Sequence, residues 1–203
     1  TKNGIVTLAL SGNNTYTGAT TVNAGTLQIG AGGTTGSLSS SSSITNNATL
    51  VFNRTDSITQ GTHFNNVIAG TGALIQAGSG TVTLSGNNTY SGATTINAGT
   101  LAVTGNISSS ATTVATGGTL SGSGKVGTTT VTGTMAGTLS AGAVTINAGG
   151  ILSPNTTETA GTLTTSSLTI NGGGYNWTIA NGSNFATAGT DYDQIASTGA
   201  LTL

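Results

Sequence analysis

The sequence predicts an all-β chain wound into a single-stranded parallel β-helix, and three observations predict it. Short Val, Leu and Ile pairs recur along all 203 residues, each bounded by Gly, Asn or Thr, as in strands separated by tight turns. No window of eleven or more residues carries a helical apolar stripe. One phrase is also written twice: SGNNTYTGATTVNAGTL at 11–27 returns as SGNNTYSGATTINAGTL at 85–101, with Thr17/Ser91 and Val22/Ile96 exchanged.

A shorter repeat runs beneath the long one. A Gly or Asn, a small residue, then Leu and alternating apolar positions recur at Leu27, Leu50, Leu101, Leu120, Leu139, Leu152 and Leu163. With Leu74 of GTGALIQ included, the steps from Leu27 to Leu139 each stay near the length of one solenoid coil. The shorter steps from Leu139 to Leu152 and on to Leu163 predict second strands within a coil. At roughly twenty residues per coil the chain makes about ten rungs, a rod on the order of 45 Å long. Inward Leu, Ile and Val form its core, and stability comes from stacking each coil on the last. Gly supplies positive φ at the corners, where Asn13, Asn14, Asn87 and Asn88 are also placed. The doubled phrase is then one strand and corner built at two heights. Pro154 fits a turn or strand edge, and the Ser/Thr tracts at 36–47 and 155–167 read as surface excursions or as hydroxyl-faced strands.

Composition narrows the function. Three Lys/Arg, four Asp/Glu, one His and a net charge of −1 leave no basic cluster to neutralise a phosphate backbone, which argues against nucleic acid as a partner. A hydrophobic content of 34%, regularly placed, separates the chain from disordered low-complexity sequence. No apolar run approaches eighteen residues, and TKNGIVTLAL lacks a basic, signal-like start. The ends TKNG and GALTL read as cut from something longer. The absence of Cys suits a reducing compartment and equally an exported chain that must cross a membrane unfolded.

GTVTLSGNNTYSGATTINAGTLAV at 80–103, with its earlier copy at 5–29, closely resembles the passenger-associated transport repeat of bacterial autotransporters, the type V secretion proteins. Residues 51–86 resemble the stretch that commonly precedes that repeat. GTDYDQIASTGALTL, within the C-terminal segment 168–203, resembles a signature found toward the end of such passengers. Residues 104–150 match in style alone. The resemblance implies that residues 1–203 are one right-handed β-helical passenger fragment, exposed on the surface of a Gram-negative bacterium and normally followed by an outer-membrane β-barrel absent from this sequence. It leaves adhesive, enzymatic and scaffold roles open.

Chemically active residues are scarce. The acids are Asp56, Glu158, Asp191 and Asp193; Asp191 and Asp193 alternate and share one side of a strand, but the further oxygen ligands that Ca²⁺ demands are missing nearby, so no metal site and no cofactor is expected. His63, in the same stretch as Asp56, has serines elsewhere around it but no nucleophile elbow, and no catalytic residue is assigned. Arg54 and Asp56 read as neighbouring surface charges worth little. Tyr16 and Tyr90 are equivalent in the two copies; Tyr175, Trp177 and Tyr192 gather near the end; packing is the reading favoured for all of them over stacking on sugars. In GYNWTIA, Tyr175, Trp177 and Ile179 alternate as an inward strand would.

The expected function is therefore that of a structural and interaction protein rather than an enzyme: a passenger segment that promotes its own secretion by sequential folding, with a host-surface protein or glycan, or a second copy, as partner. Two alternatives stand beside it, a β-helical polysaccharide-degrading enzyme and a Thr-array ice-binding solenoid. The latter needs threonines in register on one flat face, and their spacing in the sequence drifts.

Overall fold

Alternating Thr-x-Val/Leu triplets give strands of period two, and the Gly and Asn between them turn the chain after only a few residues, so each strand pairs with the coil before and the coil after. The computed structural model describes residues 1–65, 67–154, 160–176 and 193–203. Its strands are parallel, stacked as a β-solenoid of about 8 turns. At ~4.8 Å per rung this is a rod of about 38 Å, somewhat shorter than the even division of the sequence predicts. The coils are unequal. Leu27 pairs with Leu50 and Leu50 with Leu74, but Thr94 pairs with Thr112 and Thr129 with Val144, so the later coils close after fewer residues.

Three faces follow one another around each coil. The first runs from Thr7–Leu10 through Thr26–Gly33, Thr49–Arg54, Ala73–Gln76, Thr94–Ile96, Thr112–Val114 and Thr129–Val131 to the later halves of Ser140–Asn147 and Thr162–Asn171, and ends at Leu201–Thr202. The second stacks Ile58–Thr59, Thr81–Leu84, Gly99–Val103, Gly118–Gly122, Thr134–Ala136, Ile151–Ser153 and Gly174–Tyr175. The third begins with Thr20–Val22, Ile44–Asn46 and Ile68–Ala69. Residues 87–91 carry it upward, because Tyr90 N–H donates to Ile68 C=O below and Asn88 N–H to Asn106 C=O above. It continues through Asn106–Ile107 and Lys125–Val126.

The core is a set of inward columns. On the first face Leu27, Leu50 and Leu74 stack directly, and the next three levels of the same column are Thr94, Thr112 and Thr129, all buried, before Val144 and Leu168 restore hydrocarbon. On the second face Ile58, Val82, Leu101, Leu120, Met135 and Leu152 form one column. The leucines of the short repeat therefore divide among the faces instead of forming one ladder, with Leu163 at the start of a strand whose first half continues the third face. Leu139 leads into the strand that begins at Ser140, as the shortened steps predict.

The same displacement applies to the doubled phrase. Thr20–Val22 and Thr26–Gly33 lie on the third and first faces, whereas their equivalents Thr94–Ile96 and Gly99–Val103 lie on the first and second. The phrase is built at two heights, as expected, and also one face further around. Within each copy the local geometry is unchanged: Thr7 pairs with Thr26 as Thr81 pairs with Thr100. Gly25 and Gly99 turn the equivalent corner at φ 68° and 59°, conformations that side chains rarely adopt. A Cβ would meet the Gly4 carbonyl oxygen at 2.5 Å in one copy and the Gly80 carbonyl oxygen at 2.4 Å in the other.

Candidate functional site

The doubled phrase carries a hydrogen-bond relay across coils. In the first copy the Tyr16 hydroxyl meets Thr20 Oγ1 at 2.8 Å, Thr20 Oγ1 meets Ser42 Oγ of the next coil at 2.8 Å, and Ser42 donates to Gly18 C=O at 2.7 Å. In the second, Tyr90, Thr94, Ser110 and Gly92 C=O repeat it, with every contact at 2.7 Å. Tyr90 is wholly buried, while Tyr16 is 42% exposed beside a hollow of about 320 Å³ lined by Leu8, Leu10 and Leu27. Burial pushes the Tyr90 hydroxyl up to about 12, against the pull of its bonds to Thr94 and Ser110. Tyr90 thus serves packing, and each tyrosine bonds the threonine through which the relay crosses to the next coil.

Arg54 corrects the sequence reading. Far from being a surface charge, it is 5% exposed at the end of its strand. Its Nε donates to Asp56 Oδ1 at 2.8 Å and one terminal nitrogen donates to Oδ2 at 2.7 Å, a two-pronged grip, while the guanidinium also donates to the carbonyls of Thr34 and Gly36 in the coil below. The turn at 34–36 is held through its carbonyls by an arginine reaching down to it. The Arg54 hydrogen bond, opposed by some desolvation, holds the Asp56 carboxyl below its ordinary value.

The remaining candidates are likewise engaged with backbone. His63 Nδ1 accepts the Thr59 N–H at 3.1 Å, closing a turn. Asp193 is buried and its Oδ1 accepts Gly161 N–H at 2.9 Å. Tyr175 continues the second-face column above Leu152 and is 37% exposed there. Glu158, Asp191, Trp177, Ile179 and Tyr192 lie outside the described residues. The structure does not bring Asp56, His63 and Asp193 into one groove.

The corner asparagines do more than turn the chain. Asn88 is buried and trades amide bonds with Gln60, its Nδ2 donating to Gln60 Oε1 at 3.2 Å and its Oδ1 accepting from Gln60 Nε2 at 2.6 Å. Asn13 accepts from Gly36 N–H, and Asn14 donates to Ser37 C=O at 2.9 Å. Elsewhere Asn47 donates to Asn23, and Asn23 to Asn3, in an exposed amide ladder.

Outside the first face stands an array that sequence spacing conceals. Thr95, Thr113, Thr130, Thr145, Thr169 and Thr202 are direct register partners, one above another. Their separations in the chain drift, but the corners absorb the differences and the register holds. None of the six hydroxyls has a hydrogen-bond partner among the described residues.

The chain matches the profile of the passenger-associated transport repeat at residues 1–29 and 74–103, the two segments that contain the doubled phrase. Over 60 residues it is 52% identical to the Adhesin BmaC autotransporter of Brucella suis biovar 1 (strain 1330), a match that takes in 30% of this chain and 2% of the adhesin. The chain thus corresponds to a small part of the length of that relative. No solved structure matches it.

Proposed function

We propose that this chain, which carries the transport repeats of autotransporter passengers, is a surface-exposed passenger shaft that drives its own export by folding coil upon coil and presents an adhesive surface. The observation that carries the reading is the self-contained geometry of each repeat: Leu8 stacks on Leu27 and Val82 on Leu101, each within the very next coil, so a copy has its partner strand as soon as that coil emerges. Local contacts of this kind fold quickly and in sequence, and folding beyond a membrane biases an emerging chain outward without nucleotide hydrolysis. The outer-membrane barrel of the same polypeptide supplies the exit and the anchor in this reading, and adhesion to host-surface protein or glycan follows from the name of the adhesin that the chain resembles. Self-association is the companion role, since an almost uncharged surface opposes contact between copies only weakly.

The test is deletion of residues 80–103 from the full-length protein. Surface display, read by antibody labelling of intact cells, should fall sharply; undiminished display sinks the export role.

The six-threonine array favours a second reading, in which the first face binds an ordered solid such as ice. Regular hydroxyls and methyls on a flat, uncharged face are what that function asks for. Thermal hysteresis measured on the wild-type chain and on Thr130→Lys decides it: a hysteresis gap abolished by the lysine supports ice binding, and no gap removes it.

A further inference from the structure

We infer that the corner between the second and third faces is a groove for a linear acidic glycan. This deepens the adhesive reading and rests on it for the biological setting alone. Three levels of the corner are in register, since Asn87 pairs with Asn106 and Asn106 with Lys125. The residue before each is glycine, and the corner has room for nothing larger: a Cβ on Gly105 would stand 2.2 Å from Gly86 C=O, and one on Gly124 would stand 2.3 Å from Gly105 C=O. The floor of the corner is therefore bare backbone. It forms an open hollow of about 510 Å³ at the surface, and a second of about 330 Å³ adjoins it at Lys125.

The walls are hydrogen-bonding groups held at fixed spacing. Asn106 Nδ2 donates to Asn87 Oδ1 at 2.8 Å, and Asn106 Oδ1 accepts Ser108 N–H at 2.8 Å, which fixes the amide ladder and turns the Asn87 amide donors outward without a partner among the described residues. Thr104 and Ser123, on the opposite wall, likewise have hydroxyls with no described partner. Lys125 lines both hollows and is exposed. Lys2 donates to the carbonyls of Gly4 and Ala24, and Arg54 is bound to Asp56, but the Lys125 ammonium has no hydrogen bond or ion pair among the described residues.

A rung repeat of ~4.8 Å is close to the advance per sugar of an extended β-linked pyranose chain, so a glycan lying along the axis presents one sugar to each level. Hydroxyl and amide walls suit sugar hydroxyls, and one free ammonium selects a carboxylate-bearing sugar at its level. A lone cation is too little for nucleic acid.

The experiment titrates the 203-residue chain with an oligomer of β-linked mannuronate and with the neutral cello-oligosaccharide of equal length, using calorimetry and amide NMR shifts. The mannuronate oligomer should bind more tightly and shift residues around Asn87, Asn106 and Lys125. Lys125→Gln should weaken it about tenfold, with thermal melting unchanged, as expected for loss of one charged hydrogen bond; Thr104→Ala should weaken both oligomers. Absence of mannuronate binding, equal binding of the neutral oligomer, or an unaffected Lys125→Gln variant overturns the groove. Adhesion of cells displaying the full-length protein is measured separately, because loss of adhesion by the wild type would overturn the adhesive reading and leave the titration to decide the groove.

Discussion

Leu74 lies beneath Thr94, not beneath Leu101. The leucine column of the first face ends there, and the leucine that the short repeat would place next sits on the second face above Val82. The coils between the two copies do not amount to a whole number of turns, so the second copy begins one face later. The Thr94 hydroxyl at this junction is not left bare in the core, since Tyr90 and Ser110 satisfy it.

Tyr90→Phe should cost about 1 kcal/mol of unfolding free energy, the worth of one buried hydroxyl bond. Tyr16→Phe, with the same partners but a half-open setting, should cost less than about 0.5 kcal/mol. Tyr90→Ala should cost about 3–5 kcal/mol through the cavity it leaves. Urea unfolding of the three variants checks the order.

Alkali should weaken the fold through the same residue. The folded chain keeps the Tyr90 proton to about pH 12, whereas an unfolded tyrosine releases it near pH 10. The contribution is fully present below pH 10 and is lost as pH rises from 10 to 12, a fall of about 3 kcal/mol at most. Unfolding midpoints at pH 8, 10 and 11.5 should show the decline, and Tyr90→Phe should flatten it.

Arg54→Leu should destabilise by about 2–4 kcal/mol, because the carbonyls of Thr34 and Gly36 lose their donors along with the Asp56 pair. Asp56→Asn should cost much less. Since Arg54 lowers the Asp56 carboxyl, that contribution is complete above the ordinary value near 3.8 and disappears as pH falls through the lowered one. Acid unfolding of wild type and Asp56→Asn should therefore converge at the lowest pH.

Gly99→Ala and Gly117→Ala separate two reasons for glycine. Both positions have positive φ, but a Cβ at Gly99 strikes the coil below, and one at Gly117 meets nothing within 4 Å. Gly117→Ala should cost about 1 kcal/mol from backbone strain alone, and Gly99→Ala at least twice that. Equal costs in thermal melts would show that close approach contributes nothing.

The solenoid was legible because Leu27, Leu50 and Leu74 recur at coil length beside turn-forming Gly and Asn. Azimuth was not legible, because a corner that takes up a few extra residues leaves no periodic mark; hence the division of Leu74 and Leu101 between faces and the hidden register of Thr95 to Thr202. Arg54 reads as a surface charge, and the burial of Thr94 and Thr129 has no mark in the sequence, since what makes burial tolerable for these three is supplied by partners from other positions: Thr34 and Gly36, Tyr90 and Ser110, Gly127. Thr112 is buried with its hydroxyl unpartnered, and nothing in the structure explains it. The groove had a faint signal in the sequence: LSGN, VTGN and GSGK at 84–87, 103–106 and 122–125 are one corner written three times.

Because the second copy starts one side later than the first, like-for-like outward side chains point to different compass bearings on the shaft. A flat receptor pressed against one bearing engages a single copy, however long the contact. A partner able to hold both must wrap the rod, or arrive as two molecules from two directions.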